Sequence, residues 1–228
     1  MEKIVVLTGA GISAESGIKT FRDSNGLWEN HRVEDVASPE GWSRNQNLVL
    51  DFYNQRRKQL LECQPNAAHT SLVKLEQQFD VTIITQNVDD LHERAGSKNI
   101  IHLHGELLKA RSTGNENFVV EWRIDLTEND KCPQGYQLRP HIVWFGEAVT
   151  EIERCVSIVR QADIFIIIGT SLLVYPAAGL INYTTYNCQK FLIDPHISNL
   201  PRVPMLRTIE QAASTAVPEL VEKLLHES

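Results

Sequence analysis

The sequence predicts an α/β protein with a doubly wound, Rossmann-like parallel sheet and a smaller second lobe formed by two insertions. Three observations support this fold class. Short apolar runs rich in β-branched residues recur along the 228-residue chain, as is typical of strands buried on both faces. Segments with helical spacing separate most of these runs. A glycine-rich turn follows the first run, where such sheets make a tight strand-to-helix connection.

The individual elements follow from this periodicity. Six apolar runs are predicted to be buried parallel strands, and they comprise residues 3–8, 81–85, 100–104, 141–145, 163–169 and 190–194. Four segments with helical spacing comprise residues 47–63, 67–79, 150–162 and 218–226. We place Pro218 in the first turn of the last helix, where its missing N–H loses no hydrogen bond.

Two stretches interrupt the alternation of strands and helices. Residues 24–65 contain a loop and helices where a simple Rossmann unit would reach its second strand, and residues 109–140 are polar without long periodicity. We assign both to the small lobe of a single domain spanning residues 1–228. The cleft between lobe and sheet is the expected ligand site.

Composition narrows the class of protein. The net charge of -7 and the lack of a Lys/Arg block argue against a nucleic-acid partner and favour basic peptides. The longest apolar run is too short to cross a membrane, and no signal peptide is evident, so we expect a cytoplasmic protein. We also expect a monomer. The cysteines are scattered without a CxxC pair, which predicts reduced thiols at Cys63, Cys132, Cys155 and Cys188.

The first strand leads into Gly9-Ala10-Gly11-Ile12-Ser13-Ala14, which fits the pattern G-x-G-x-x-A. Glycines there allow a tight turn and let backbone N–H groups approach a pyrophosphate. A purely structural turn is the alternative, because no acidic ribose ligand follows on an evident second strand.

Further motifs are more specific. They read GAGISAESGIKTFRDSNGLW from residue 9, TQNVDDLHERAG from 85, HLHGELL from 102, RPHIVWFGE from 139 and GTS from 169. In this order, over nearly the whole chain, they closely resemble the sirtuin family of NAD-dependent protein deacylases. Three of them also lie at the C-terminal ends of predicted strands, where open α/β sheets bind ligands.

The resemblance implies NAD as co-substrate and an acylated lysine of a protein or peptide as acyl donor. The residues that it assigns to NAD binding are Gly9, Ala10, Gly11, Ile12, Phe21, Arg22, Trp28, Gln86, Asn87, Asp89, Gly169, Thr170, Ser171, Asp194 and Ala213. Asp194 stands where relatives often have Asn. A carboxylate can still accept two hydrogen bonds from ribose hydroxyls.

The resemblance makes His104 the catalytic base, with Asn87 orienting ribose or water and Asp89 holding the carboxamide region. Histidine suits this role because its unperturbed pKa of about 6.5 lies near working pH. In the implied mechanism, the acyl oxygen attacks C1′ of the ribose as nicotinamide leaves, and His104 then accepts a ribose hydroxyl proton. The ribose 2′-oxygen closes on the imidate, and water completes the transfer, which yields free lysine and O-acyl-ADP-ribose. For His102 we favour a strand-end histidine bonded to backbone, and for His92 a place on the helix surface or in the core.

At the substrate end, Val143, Trp144 and Phe145 resemble the segment that pairs with the peptide backbone as an added strand. A buried strand with core aromatic residues is the alternative. Tyr53 and Arg56 share a helix face and match the Tyr-x-x-Arg pair by which some sirtuins bind acidic acyl groups. A guanidinium can bind a carboxylate through two hydrogen bonds, which predicts succinyl, malonyl or glutaryl substrates besides acetyl.

The chain departs from many relatives in the small lobe. They hold a structural zinc with two CxxC pairs, whereas this chain keeps only Cys132, with Gly135 at the partner position and no cysteine near Arg111 or Ser112. One thiol cannot supply a tetrahedral site, so we predict that zinc is absent. Packing of Phe118, Trp122 and Tyr136 would then hold the lobe.

Two other functions remain open. An ADP-ribosyltransferase or NAD glycohydrolase would use the same cleft with another acceptor. A non-catalytic reader of NAD, ADP-ribose or acyl-lysine is conceivable because the zinc ligands are lost, but Asn87, Asp89 and His104 are all present.

Overall fold

The computed structural model describes residues 1–19, 27–28, 31–170, 172, 174–197 and 203–227. Its strands are β1 Lys3–Thr8, β2 Leu27–Trp28, β3 His31–Arg32, β4 Asp80–Thr85, β5 Ile100–His102, β6 Gly105–Ser112, β7 Val119–Glu121, β8 Leu138–Ile142, β9 Ile164–Ile168, β10 Gln189–Ile193 and β11 Leu206–Ile209. Its α-helices are α1 Gly11–Ala14, α2 Val33–Val36, α3 Pro39–Arg44, α4 Gln46–Glu62, α5 Ala67–Leu75, α6 Leu91–Ala95, α7 Ile152–Val159 and α8 Ala213–Glu227, and a 3₁₀ helix spans Ala177–Tyr183. Among the described helices, none combines the length and apolarity that a membrane span requires.

The main sheet has six parallel strands in the order β11-β10-β9-β1-β4-β5. This confirms the predicted doubly wound fold. The chain runs outward from β1 through β4 to β5, and then returns to the other side of β1 with β9. The strand order therefore reverses between β1 and β9, and ligands bind open α/β sheets at such a switch point.

Alternating residues of the strands face two separate cores. Ile4 and Val6 of β1 pack with α5 and α8 on one face, whereas Val5 and Leu7 pack with α7 and the 3₁₀ helix on the other. All four side chains are at most 2% exposed. Burial on both faces explains why these strands are continuous apolar runs rather than alternating ones.

The small lobe combines helices α2–α4 with an antiparallel sheet in the order β7-β6-β8. One hydrophobic cluster includes Phe52 of α4, Leu108 of β6 and Leu138 of β8. The segments inserted after β1 and after β5 therefore share a core.

Two predicted elements were wrong. Residues 141–145 are not a parallel strand, because β8 ends at Ile142 and pairs with β6 of the small sheet. The Glu147 carboxylate binds the Trp144 N–H at 2.7 Å and turns the chain away there. Pro218 is not in a first turn but inside α8, which begins at Ala213. The preceding turn is helical because Ala216 and Val217 are buried against the sheet.

Candidate active site

The glycine-rich turn and the end of β9 meet at the switch point. Gly11 N donates to Gly169 O at 2.8 Å, and Gly9 N donates to Ile168 O at 2.9 Å. A Cβ on Gly11 would lie 2.6 Å from Gly169 Cα, and Gly169 has a φ of +65°. Both positions therefore require glycine, the first for close approach and the second for its backbone conformation.

A polar loop after β4 is bound to this turn. Asn87 Nδ2 donates to Gly9 O at 3.1 Å and to Ser13 Oγ at 3.2 Å, and Ser13 Oγ donates to Asp89 Oδ2 at 3.0 Å. Gln86 Nε2 donates to Thr170 Oγ1 at 3.3 Å. The structure thus brings together residues predicted from three separate strand ends.

Ser13 is a member of this cluster that the sequence analysis gave no role. It is fully buried and contacts both Asn87 and Asp89. Its position four residues after Gly9, on the first turn of α1, is the signal that could have identified it.

The Asp89 side chain is buried, which disfavours its ionised form. It is 6% exposed, and burial raises its pKa to about 6 despite hydrogen bonds from Leu91 N and Ser13 Oγ. Loss of hydration disfavours the charged form more than these two donors favour it. A buried carboxylate with a raised pKa beside a cleft is a common sign of a functional group.

His104 follows β5 in a turn, and Gly105 begins β6 immediately after it. Its Nδ1 lies 2.9 Å from the carbonyl oxygen of Gln86. A carbonyl only accepts, so Nδ1 carries the proton and Nε2 has the lone pair. Burial lowers the pKa of His104 below its usual value, although the bond to Gln86 opposes this. The imidazole is therefore neutral near pH 7 and can accept a proton at Nε2.

His102 and His92 differ from His104 in their surroundings. His102 Nδ1 lies 3.2 Å from Asn87 O, which agrees with the expected backbone bond, but its Nε2 also lies 2.7 Å from Glu93 Oε1. His92 is in the core, 1% exposed, with Nε2 3.0 Å from Thr8 Oγ1. Burial lowers the pKa of His92 well below its usual value.

The expected adenosine side is described in part. Asp194 directly follows β10 and is 2% exposed, and its Oδ1 accepts from His196 N at 3.0 Å. Ala213 opens α8, whose Ser214 donates N–H and hydroxyl bonds to Glu15 at 3.0 and 2.6 Å. These bonds tie the start of α8 to the segment after the glycine turn. Phe21, Arg22 and Ser171 lie outside the described residues, and only the backbone of Trp28 is described.

Tyr53 and Arg56 of α4 line one cavity, of about 50 Å³, together with Lys19, Val88 and Asp89. Asp89 lies in the same polar loop as Asn87, and it also lines this cavity. Arg56 also lies over the Phe52 ring, with Cζ 4.9 Å from its centroid.

The segment after β8 connects this cavity to the small sheet. Val143 N donates to His104 O at 2.9 Å, and the buried Trp144 donates from Nε1 to the Tyr53 hydroxyl at 3.0 Å. Phe145 is 54% exposed, so it is not the core residue that the alternative interpretation requires. Trp144, in contrast, is 2% exposed and belongs to the core of the small lobe.

Glu147 anchors this segment, a role that the sequence analysis missed. Its carboxylate accepts from Arg139 at 2.6 Å, from Arg111 at 3.1 Å and from Trp144 N at 2.7 Å. The Arg139 guanidinium stacks 3.2 Å above the centroid of the Trp144 ring. These contacts fix the tryptophan that touches Tyr53.

At the position of the zinc module, Ser112 Oγ donates to Cys132 Sγ at 3.2 Å. Phe118 and Trp122 pack against the core of the lobe, as expected. Tyr136 is 51% exposed, so the expectation that it helps to form that core was wrong. Its ring covers Gly114 instead, at the surface.

The chain is similar to known proteins over almost its full length. The model of the Sir2 family matches residues 9–176. A protein of Helicobacter pylori named NAD-dependent protein deacylase is 53% identical to this chain, and the match covers 99% of this chain and 98% of that protein. A protein of Bacteroides thetaiotaomicron with the same name is also 53% identical, and the match covers 99% of both chains.

Solved structures of Sir2 homologues have the same fold as this chain. A Sir2 homologue in complex with NAD superimposes with a TM-score of 0.88 at 38% identity, covering 99% of this chain and 90% of that one. A mutant Sir2 homologue in complex with ADP-ribose superimposes with a TM-score of 0.90 at 37% identity, covering 99% of this chain and 92% of that one. From the matching family model, these relatives and the shared fold, we conclude that the chain belongs to the Sir2 family.

Proposed function

We propose that this chain is an NAD-dependent deacylase of protein lysines that removes succinyl, malonyl and glutaryl groups as well as acetyl groups. Membership of the Sir2 family and relatives named as deacylases support the reaction. The preference for acidic acyl groups depends on one observation, namely that Tyr53 and Arg56 line a cavity that Asp89 also borders.

NAD supplies the ribose that loses nicotinamide and receives the acyl group. The residues at the switch point fit such a ligand, because the glycine turn can approach a pyrophosphate closely and the buried Asp194 carboxylate can accept ribose hydroxyl bonds. In this proposal Asn87 orients the nicotinamide-side ribose. Asp89, held by Ser13, binds the carboxamide region.

His104 acts as the general base. Its Nδ1–H donates a hydrogen bond to Gln86 O, and this bond orients the ring and places the basic lone pair on Nε2. Nε2 takes the proton from a ribose hydroxyl, and that oxygen then attacks the acyl carbon of the imidate formed when nicotinamide leaves. Water completes the transfer, so that the acyl carbon loses its bond to the lysine nitrogen and stays on the ribose. The lowered pKa of His104 keeps the ring unprotonated at neutral pH, as a base requires.

The cavity is suited to a carboxylate at the end of the acyl chain. Arg56 and Lys19 bring two positive charges to its lining, against one negative charge from Asp89. Burial raises the pKa of Tyr53 above its usual value, so the hydroxyl stays protonated and remains a hydrogen-bond donor. Donors in both side chains match a carboxylate better than they match an acetyl methyl group.

The test is the acyl preference of Arg56→Met, with Lys58→Met as the matched control. Lys58 lies on the same helix but pairs with Asp125 at the surface. Loss of a charged hydrogen bond costs about 1.5–3 kcal/mol, which is about 10- to 150-fold in kcat/KM. We expect that loss for desuccinylation by Arg56→Met and less than about 3-fold for deacetylation. Equal losses on both substrates would contradict the proposed preference.

We further propose that the small lobe folds without zinc. The Ser112–Cys132 hydrogen bond occupies the position of the module, and Glu147 joins β6 and β8 through Arg111 and Arg139. Elemental analysis of purified protein should find no stoichiometric zinc, and a chelator should leave the unfolding temperature unchanged. One tightly bound zinc per chain would refute this. A cytoplasmic monomer without nucleic-acid or membrane partners remains a prediction from the sequence.

A further inference from the structure

Two histidines bind consecutive carbonyl groups of the polar loop. His104 Nδ1 lies 2.9 Å from Gln86 O, and His102 Nδ1 lies 3.2 Å from Asn87 O. The loop that contains Asn87 and Asp89 is therefore held along its backbone by the segment 102–104. His104 has a catalytic role in the proposed reaction, whereas His102 has had none so far.

The partners of His102 determine its protonation state. Asn87 O is a carbonyl and Glu93 Oε1, at 2.7 Å from Nε2, belongs to a carboxylate. Both only accept hydrogen bonds when the carboxylate is ionised, so both ring nitrogens must donate. A ring that donates from both nitrogens is an imidazolium, and it has a positive charge. His104, with one carbonyl partner, is the neutral counterpart.

We propose that His102 is a positioning residue, an imidazolium that joins the Asn87 carbonyl to Glu93 and so fixes the loop that presents Asn87 and Asp89 to NAD. The side chain of His102 is only 10% exposed and that of Glu93 is 39% exposed, so the pair is partly shielded from water. Glu93 is on α6 and His102 ends β5, so the bridge also ties this helix to the sheet.

The charges around His102 favour the imidazolium. Glu93 and Glu106 face it from α6 and β6, and Asp89 faces it from the loop, whereas His92 is neutral. Burial opposes the charge, yet the bond to Glu93, the two glutamates and the Asn87 carbonyl together raise the pKa of His102. His102 in turn lowers the pKa of Asp89, which would otherwise rise further on burial.

A metal ion is the competing explanation for this cluster. One atom each from Glu93, His102 and Glu106 lie within 4.8 Å of one another. However, Lys109 Nζ lies 2.8 Å from Glu106 Oε2 and already supplies a positive charge. An imidazolium has no lone pair to offer a metal, so the two explanations exclude each other.

The first test is the protonation of His102 in the unliganded protein. Long-range ¹H–¹⁵N NMR at pH 7 should show two protonated ring nitrogens for His102 and one, Nδ1, for His104. The conservative variant Glu93→Gln keeps an acceptor but removes the charge, and it should lower the midpoint of the His102 titration. A neutral His102 at pH 7, or a midpoint that Glu93→Gln leaves unchanged, would overturn the proposal. This test needs neither substrate nor turnover.

The second test is kinetic and rests on the proposed deacylase function. His102→Gln and Glu93→Gln should each reduce kcat/KM for NAD by about 10-fold, as expected for loss of one charged hydrogen bond. Lys109→Met, which removes a charge from the same cluster without touching His102, should stay within about 2-fold of wild type. Equal effects in all three variants would mean that His102 only adds stability. If wild type has no deacylase activity while NMR shows the imidazolium, the proposed function fails and the charge assignment stands.

Discussion

Replacing Asp89 by Asn should stabilise the protein while it removes a proposed NAD ligand. Asn is nearly isosteric, its oxygen can accept from Leu91 N, and its amide can donate to Ser13 Oγ. Burial raises the pKa of Asp89 from an ordinary 3.8 to about 6. At about 1.4 kcal/mol per pH unit, the ionised carboxylate costs about 3 kcal/mol of folding free energy. We expect Asp89→Asn to recover about 1–3 kcal/mol at pH 8.

The sign of the pH dependence follows from linkage. The folded state binds the Asp89 proton more tightly than the unfolded state, so the cost is fully present above about pH 6 and disappears as the pH falls towards 3.8. Urea unfolding at pH 8 and at pH 4.5 should therefore give a large stabilisation by Asp89→Asn at the first pH and a small one at the second. Asp51→Asn, at an exposed position on α4, is the control and should change stability by less than about 0.5 kcal/mol. A variant that is no more stable than wild type at pH 8 would refute this reasoning.

Three further predictions concern other parts of the site. His104→Ala should abolish deacylation while calorimetry still detects NAD binding, and unchanged turnover would rule out His104 as the base. Burial lowers the pKa of His69 to about 4, so it contributes a loss of about 3 kcal/mol in stability as the pH falls from 6.5 to 4, and His69→Asn should flatten that slope in urea titrations. Gly11→Ala should weaken NAD binding at least about 10-fold, because its Cβ would lie 2.6 Å from Gly169 Cα, and wild-type affinity would contradict that geometry.

The positions of the site residues could be predicted to the extent that they follow strand ends. Thr85 and Ile168 end apolar runs that are unambiguous, so the loops after them were expected at one edge of the sheet, where they lie. The run at 141–145 was misassigned because an apolar pattern shows burial but not the partner strand. Strand β11 was missed because it is a short edge strand whose middle residues, Arg207 and Thr208, are exposed.

The contacts of the site residues could not be predicted, because their partners are distant in sequence. Glu147 binds Arg111, 36 positions away, and Trp144 binds Tyr53, 91 positions away. Neither pair produces a local pattern. The bond between His102 and Glu93 could not be predicted from the sequence either, because nothing in the motif HLHGELL distinguishes a charged histidine from a neutral one.

The central claim is most directly tested by the products formed from NAD and a succinyl-lysine peptide. Mass spectrometry of the complete reaction should find nicotinamide, free lysine peptide and O-succinyl-ADP-ribose in equal amounts, and His104→Ala should form none of the last. Free ADP-ribose with intact succinyl peptide would instead indicate an NAD glycohydrolase, and ADP-ribose attached to protein would indicate a transferase. Either result would contradict the account given for His104, Tyr53 and Arg56.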